Sequence, residues 1–175
     1  MRQDFVARSQ QRSAAQAVIH QADSPEDIEQ ARALFLEYAQ WLGVDLCFQD
    51  FSRELAELPG AYAPPSGRIL LAAVNTSAFG CVALRALDDR VGEVKRMYVQ
   101  PARRGEGWGR QLAVAIVAQA RFIGYRELVL DTLSRLTSAR ALYAELGFSE
   151  CAPYYANPLP DVVYMRLRLD ANAPV

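Results

Sequence analysis

VGEVKRMYVQPARRGEGWGRQLAVAIVAQARFIGY, residues 91 to 125, is the stretch on which the fold turns. Residues 93 to 99 read as a strand, which Pro101 terminates. Gly105, Gly107 and Gly109 punctuate a turn dense in arginine. An apolar-periodic helix follows, from Gly107 or Trp108 to Gly124, with Leu112, Ile116, Ala120 and Ile123 on one side. A strand that delivers glycines and cations to a helix N-terminus is a physical recipe for holding phosphate. The turn is no dinucleotide fingerprint, because it lies mid-chain with no βαβ unit leading into it. It also lacks the Gly-Lys-Ser/Thr ending of a nucleotide-hydrolase loop.

Upstream, residues 68 to 74 (RILLAAV) and 79 to 87 (FGCVALRAL) read as strands of a hairpin around Asn75-Thr76-Ser77, and 93 to 99 completes an antiparallel meander. Further back, Ser24-Pro25-Glu26-Asp27 spells a helix start, with Ser24 as N-cap and Pro25 in the first turn. Ile28, Ala31, Leu34, Phe35, Tyr38 and Leu42 recur at helical spacing until Gly43. A short strand over 17 to 21 precedes this helix, and a second helix is expected over 49 to 58. Downstream, 128 to 131 is a strand that a whole helix separates from the previous one, so the two should run parallel. A helix over 138 to 146, Gly147 at its end and a strand over 162 to 169 finish the pattern. One mixed sheet with helices on its faces results, as a single domain over 17 to 170 behind a lead-in over 1 to 16.

Half of the 175 residues are hydrophobic and the formal net charge is −1, which marks a globular chain and argues against a broad cationic nucleic-acid face. Lys95 is the only lysine among 19 cations. Cys47, Cys81 and Cys151 suit neither a disulfide scaffold nor a zinc site, and Cys81 sits in an apolar run as a core residue. His20, the lone histidine, reads as a strand residue, so no metal site is expected. No secretory leader or apolar run long enough to span a membrane is evident, which makes a soluble cytoplasmic protein the default.

At Arg104-Gly105-Glu106-Gly107-Trp108-Gly109, after the strand VKRMYV, the chain resembles the GNAT superfamily of acyl-coenzyme A-dependent N-acyltransferases. Its signature is Arg or Gln, two residues, Gly, one residue, then Gly or Ala. A second resemblance lies in ALYAELGF, residues 141 to 148, and the two together cover roughly 17 to 169. The resemblance implies an α/β (α+β) acyl-CoA N-acyltransferase fold, with a twisted, mostly antiparallel mixed sheet of six to seven strands and helices on both faces. It implies acetyl-coenzyme A as co-substrate, with no metal. The main-chain N–H groups from Arg104 or Gly105 through Glu106, Gly107, Trp108 and Gly109 to Arg110 would cradle the pyrophosphate. Met97, Tyr98 and Val99 would pair their backbone with the pantetheine arm in a gap between their strand and the next.

Tyr143 matches the family's general acid, against the alternative of a tyrosine packed beneath the last strand. Many relatives carry asparagine seven residues earlier, where this chain has Leu136, so Thr132 or Ser134 is the candidate for that polar contact. An ammonium must lose a proton before it attacks a thioester, and Glu93 is placed as the base or as an ordinary strand-end charge. The N–H near Val99 would polarise the thioester carbonyl. Acceptor recognition is expected from Tyr38, Asp45, Arg53, Glu54 and Tyr62, and from Tyr154, Tyr155 and Asn157 in a proline-bracketed rim. The expected activity is direct acetyl transfer to a small amine or amino-acid-like acceptor in a ternary complex. The alternatives are a non-catalytic acyl-coenzyme A sensor and a protein or peptide N-acetyltransferase. Neither a nucleic acid nor a membrane is an expected partner, and the chain is left between monomer and homodimer.

Overall fold

The computed structural model describes residues 16–46 and 50–169. The lead-in over 1 to 15, Cys47 and Gln49 lie outside the described residues.

Seven strands form one sheet in the order β1-β2-β3-β4-β5-β7-β6. They are β1 Ala17–Gln21, β2 Arg68–Val74, β3 Ser77–Ala86, β4 Val91–Val99, β5 Glu127–Leu133, β6 Ser149–Glu150 and β7 Val162–Arg168. Every neighbouring pair is antiparallel except β4 with β5. That exception follows from α3, Trp108–Ile123, which carries the chain back across one face so that β5 starts where β4 started. Strand β6 was not expected, because two residues carry no readable alternation.

The helices divide between the faces. On one, α3 buries Leu112, Ala113, Ile116, Val117 and Ala120 against Leu70, Val82, Leu84, Val94, Leu128 and Leu130. On the other, α1 (Pro25–Leu42) buries Ala31, Leu34 and Phe35 against Ile69, Leu71, Cys81 and Ala83. Both N-terminal signals of α1 hold. The Ser24 hydroxyl accepts from the Asp27 N–H at 3.0 Å, and the Asp27 carboxylate accepts from the Ser24 N–H at 3.2 Å. His20 on β1 meets the same carboxylate at 3.2 Å.

Helix α2, Phe51–Glu57, ends before Leu58. Leu58 precedes Pro59 and takes an extended ψ of 136°, the conformation that a following proline favours. Helix α2 buries none of its own residues fully; Phe51 and Leu55 pack partly buried against the core, and Arg96 on β4 adds a charged anchor.

Arg96 is a non-glycine residue at φ 56°, inside the strand. The β3–β4 register slips there: Ala83 lies opposite Lys95, but Cys81 lies opposite Tyr98. This is a β-bulge. Cys81 and Ala83 are two residues apart and share a face, so Lys95 and Tyr98, three apart, are brought to that same face beneath α1 and α2. The Cys81 thiol, buried as expected, donates to the Arg96 carbonyl at 3.2 Å. The Arg96 guanidinium meets Glu54 of α2 through two bonds, at 2.8 and 2.7 Å, and lies over the Phe51 ring at 4.9 Å. No described helix is long and apolar enough to cross a membrane.

Candidate active site

Strands β4 and β5 pair only through Val91–Glu127, Gly92–Leu128 and Glu93–Val129. Beyond Glu93 they separate, and a gap opens between the rest of β4 and the end of β5. The Gln100 N–H donates to Phe79 of β3 at 2.8 Å. Backbone polarity alternates along a strand, so the Val99 amide faces away from β3 and into the gap. Tyr98 does not. Its own amide shares the β3 side with Gln100, and its ring packs on Trp41 and Tyr38 of α1 at 6.0 and 6.1 Å. The amides on the gap side of this strand end are therefore those of Met97 and Val99, while Tyr98 lies opposite Cys81 of β3.

At the far end of β4 the chain makes one 3-10 turn, Pro101–Arg103, and reaches α3 through Gly105 and Gly107 at φ 82° and 84°. A Cβ built on either would meet nothing within 4 Å, so a ligand has open access to the main chain there. The first intrahelical bond runs from the Gln111 N–H to the Gly107 carbonyl, so the N–H groups of Trp108, Gly109 and Arg110 precede it. Gly109 is ordinary helix. The arginines are less available than their density suggests. Arg103 pairs with Glu106 at 3.2 Å, and Arg110 pairs with Glu145 of α4 (Thr137–Glu145). Arg104 turns back, donating from Nε to the Val99 carbonyl at 2.9 Å while lying over the Trp41 ring at 4.4 Å. Trp108 donates to Glu106 at 3.1 Å. The anion seat left at this turn is thus made chiefly of backbone N–H groups and the helix dipole.

Tyr143 of α4 enters the gap from the α3 side. It is buried, and its hydroxyl meets Met97 Sδ at 3.7 Å. Burial pushes the phenol well above its ordinary value, so it is a proton donor, not a phenolate, across the physiological range. Tyr38, Met97, Leu136, Thr132 and Asp131 line the same cavity as Tyr143. Tyr38 is likewise pushed up, to about 12, by burial.

On the α1/α2 face the gap leads into a charged network. Glu93 is 1% exposed and has both oxygens engaged. Oε2 accepts from Arg85 Nε at 2.6 Å, and Oε1 accepts from the Tyr154 hydroxyl at 2.9 Å. Lys95 Nζ stands 3.5 Å from Glu93 and donates to Asp131 Oδ1 at 3.1 Å. Asp131 Oδ2 accepts from the Tyr155 hydroxyl at 2.8 Å and from Asn157 Nδ2 at 3.1 Å. Burial pushes the Asp131 carboxyl up, but the Lys95 ammonium and the Tyr155 hydrogen bond outweigh it and hold the group below the ordinary carboxylate range. Burial, and then the Glu93 charge, raise the Tyr154 phenol far above normal. Lys95 lines both the gap and a larger cavity of about 730 Å³, so it stands where the two meet.

A splayed parallel strand pair, a glycine turn with exposed amides and a tyrosine in the gap agree with what comparison with known proteins finds. The profile of the Acetyltransferase (GNAT) family matches residues 28–148. The chain belongs to the GNAT acetyltransferase family. An uncharacterized N-acetyltransferase of Schizosaccharomyces pombe is 42% identical over 147 residues, covering 83% of this chain and 90% of that protein. An aminoglycoside N(6')-acetyltransferase of Stenotrophomonas maltophilia is 32% identical over 145 residues, covering 77% and 90%. The solved N-acetyltransferase of Thermoplasma acidophilum in complex with coenzyme A superposes with a TM-score of 0.68 at 18% identity, covering 88% and 99%.

Within this GNAT chain, the residues expected to read an acceptor separate into two groups. Tyr154, Tyr155 and Asn157 converge on Glu93 and Asp131, and Tyr38 lines the gap. Arg53 and Tyr62 do not join them. Arg53 is exposed and bonded to Glu57 at 2.7 Å. Tyr62 is 1% exposed, with its hydroxyl donated to Glu54 at 3.0 Å, so it supports the α2 anchor and does not face the cavity. Glu54 itself is taken by Arg96. Lys95, Asp131, Arg85 and Arg166 were missed as site residues. A signal existed: VGEVKR sets Glu93 and Lys95, and ELVLDTL sets Glu127 and Asp131, an even number of residues apart in largely apolar strands, so each pair shares a face.

Proposed function

We propose that this enzyme transfers the acetyl group of acetyl-coenzyme A directly to the primary amine of a small molecule. The observation that carries this reading is the junction at Lys95 and Asp131, where the gap holding the buried Tyr143 hydroxyl opens into a charged cavity. The bound thioester supplies the acyl group and a sulfur leaving group. The Gly105–Arg110 amides, supported by the α3 dipole, seat the pyrophosphate, and the amides of Met97 and Val99 hold the arm along β4. The Val99 N–H polarises the acyl carbonyl. Tyr143 protonates the departing sulfur. Leu136 offers no hydrogen bond where many relatives have asparagine, and Thr132, lining the same gap, is the nearby polar substitute.

The proton on the acceptor's nitrogen has to leave on the other side. Both oxygens of Glu93 are engaged, so a proton reaches it through Tyr154, whose hydroxyl already donates to it and faces the cavity. Tyr154 takes the ammonium proton as it hands its own to Glu93.

The test is a thiol-release assay with acetyl-coenzyme A across small amines, amino acids, aminoglycosides and peptides. Tyr143→Phe should lower kcat by roughly 10²-fold while leaving coenzyme affinity, read by calorimetry, within about threefold. Unchanged turnover would remove the general-acid role. Glu93→Gln and Tyr154→Phe should lower kcat/KM alike. Loss in the first and none in the second would mean that Glu93 acts without the relay.

A further inference from the structure

The charged cavity has an internal order that bears on what it binds. Register places Arg85 opposite Glu93, Glu93 opposite Val129, and Val129 opposite Arg166. These four residues therefore lie abreast on one face, across β3, β4, β5 and β7. The next row toward the gap holds Lys95 on β4 and Asp131 on β5, with Tyr164 opposite Asp131 on β7. Both arginines line the large cavity, whose size suits a small ligand.

Every carboxylate facing this space has a partner. Glu93 and Asp131 are bonded as described above. The Asp88 carboxylate accepts the N–H groups of Arg90 and Val91 in its own turn, and Asp50 stands 3.9 Å from Arg53. The cations are less fully engaged. Among the described residues, the Arg85 guanidinium donates through Nε, to Glu93. Arg166 approaches Glu127 no closer than 3.5 Å, with its side chain 41% exposed. Unspent guanidinium donors, in a cavity whose carboxylates are spent, call for an anion.

We propose, building on the transfer reading above, that the acceptor is an amine that also carries a carboxylate. Arg166, with the terminal nitrogens of Arg85, binds the acid group, and the amine gives its proton to the Tyr154–Glu93 relay in the cavity before it reaches past Lys95 and Asp131 into the gap. The two arginines line the cavity and not the gap, and Lys95 lies between, so acid and amine of one acceptor must be joined by a chain that spans Lys95. An α-amino acid, with about 2.5 Å between nitrogen and carboxyl carbon, is too short for that. The substrate class is an ω-amino acid, or a molecule with equivalent separation between amine and acid.

The experiment compares 6-aminohexanoate with hexylamine, which differ only in the acid group. Thiol release gives the kcat/KM ratio. Calorimetric titration of each compound into the coenzyme A-loaded protein gives affinity without turnover. The wild-type protein should favour 6-aminohexanoate by about ten- to a hundredfold, the range of a charge-assisted contact. In Arg166→Gln that ratio should fall toward one through a rise in KM, and Arg166→Lys should keep part of it. Equal or better use of hexylamine by the wild type overturns the proposal without recourse to any variant. A ratio that survives in Arg166→Gln overturns the assignment of Arg166. Should no amine release thiol although coenzyme A binds, the transfer reading fails and calorimetry decides the pocket. Preferential binding of 6-aminohexanoate would then support it, and equal binding would end it.

Discussion

The two ends of the β4–β5 gap are built from different material. At the α3 end the surface offered to a ligand is main chain: the Val99 amide, two glycines at positive φ and the first N–H groups of a helix. At the other end it is side chain: Arg85, Glu93, Lys95, Asp131, Tyr154, Tyr155 and Asn157, drawn from three strands and a loop. The contrast extends to support. The backbone end hangs on a single turn and its helix. The side-chain end adjoins α2 through Arg96, which follows Lys95 on β4 and pairs with Glu54 of α2. Main chain can bind a part that every family member shares, while side chains are free to change with the acceptor. A family with one donor and many acceptors is expected to divide its site this way.

If that division is right, disturbing one end should spare the other. The largest effect is expected from Glu54→Ala. It strands the Arg96 guanidinium, 2% exposed, without its counter-charge, at a cost of about 3–5 kcal/mol by chemical denaturation. Coenzyme affinity of the folded fraction should stay within about threefold; a parallel collapse of that affinity would show the two ends to be one unit.

Asp131→Asn should cost less, about 3 kcal/mol at neutral pH, because Lys95 keeps Glu93 at 3.5 Å. The sign with pH follows from the lowered carboxyl. Its stabilisation is complete above the unfolded value of about 4 and is lost as pH falls through the still lower folded value. Denaturation of both proteins from pH 7 to 2 should show the gap in stability closing below pH 4. A gap that persists unchanged to pH 2 would mean that Asp131 is not stabilised as an anion.

The smallest change belongs to the backbone end. Gly107→Ala forces a side chain into the left-handed region for about 1–2 kcal/mol and should weaken coenzyme A binding by roughly tenfold through the displaced turn. The preference among acceptors should not move, and a shift in it would break the comparison.

How far the sequence could be read follows the same line. Local signals were enough for α1, whose capping box lies within four residues, and for the helix start at Gly107, where a left-handed residue is needed. Spacing alone placed β4 ahead of α3 and made β5 parallel to it. Tyr143 stood out because its neighbours resemble a family pattern; its hydroxyl lies in the gap beside Met97. Nothing local in the sequence gives the direction of Tyr62, at the end of a 3-10 turn, or of Arg53, on α2. One was spent on Glu54 and the other faces solvent. Lys95 stood out as the lone lysine, but nothing local tied it to Asp131, 36 positions away.

What the sequence by itself determined is the backbone end of this protein: a strand, a glycine turn and a helix N-terminus. Their geometry depends on φ, ψ and hydrogen bonds a few residues apart. Only the tertiary structure decided the side-chain end. The slip at Arg96 turns Lys95 and Tyr98 to one face, and the sheet register sets Arg85, Glu93 and Arg166 abreast. The bulge relocates every residue that follows it by one position, and cross-strand register joins residues as far apart as 85 and 166. Both are properties of the packed sheet, because each depends on which partner a strand finds.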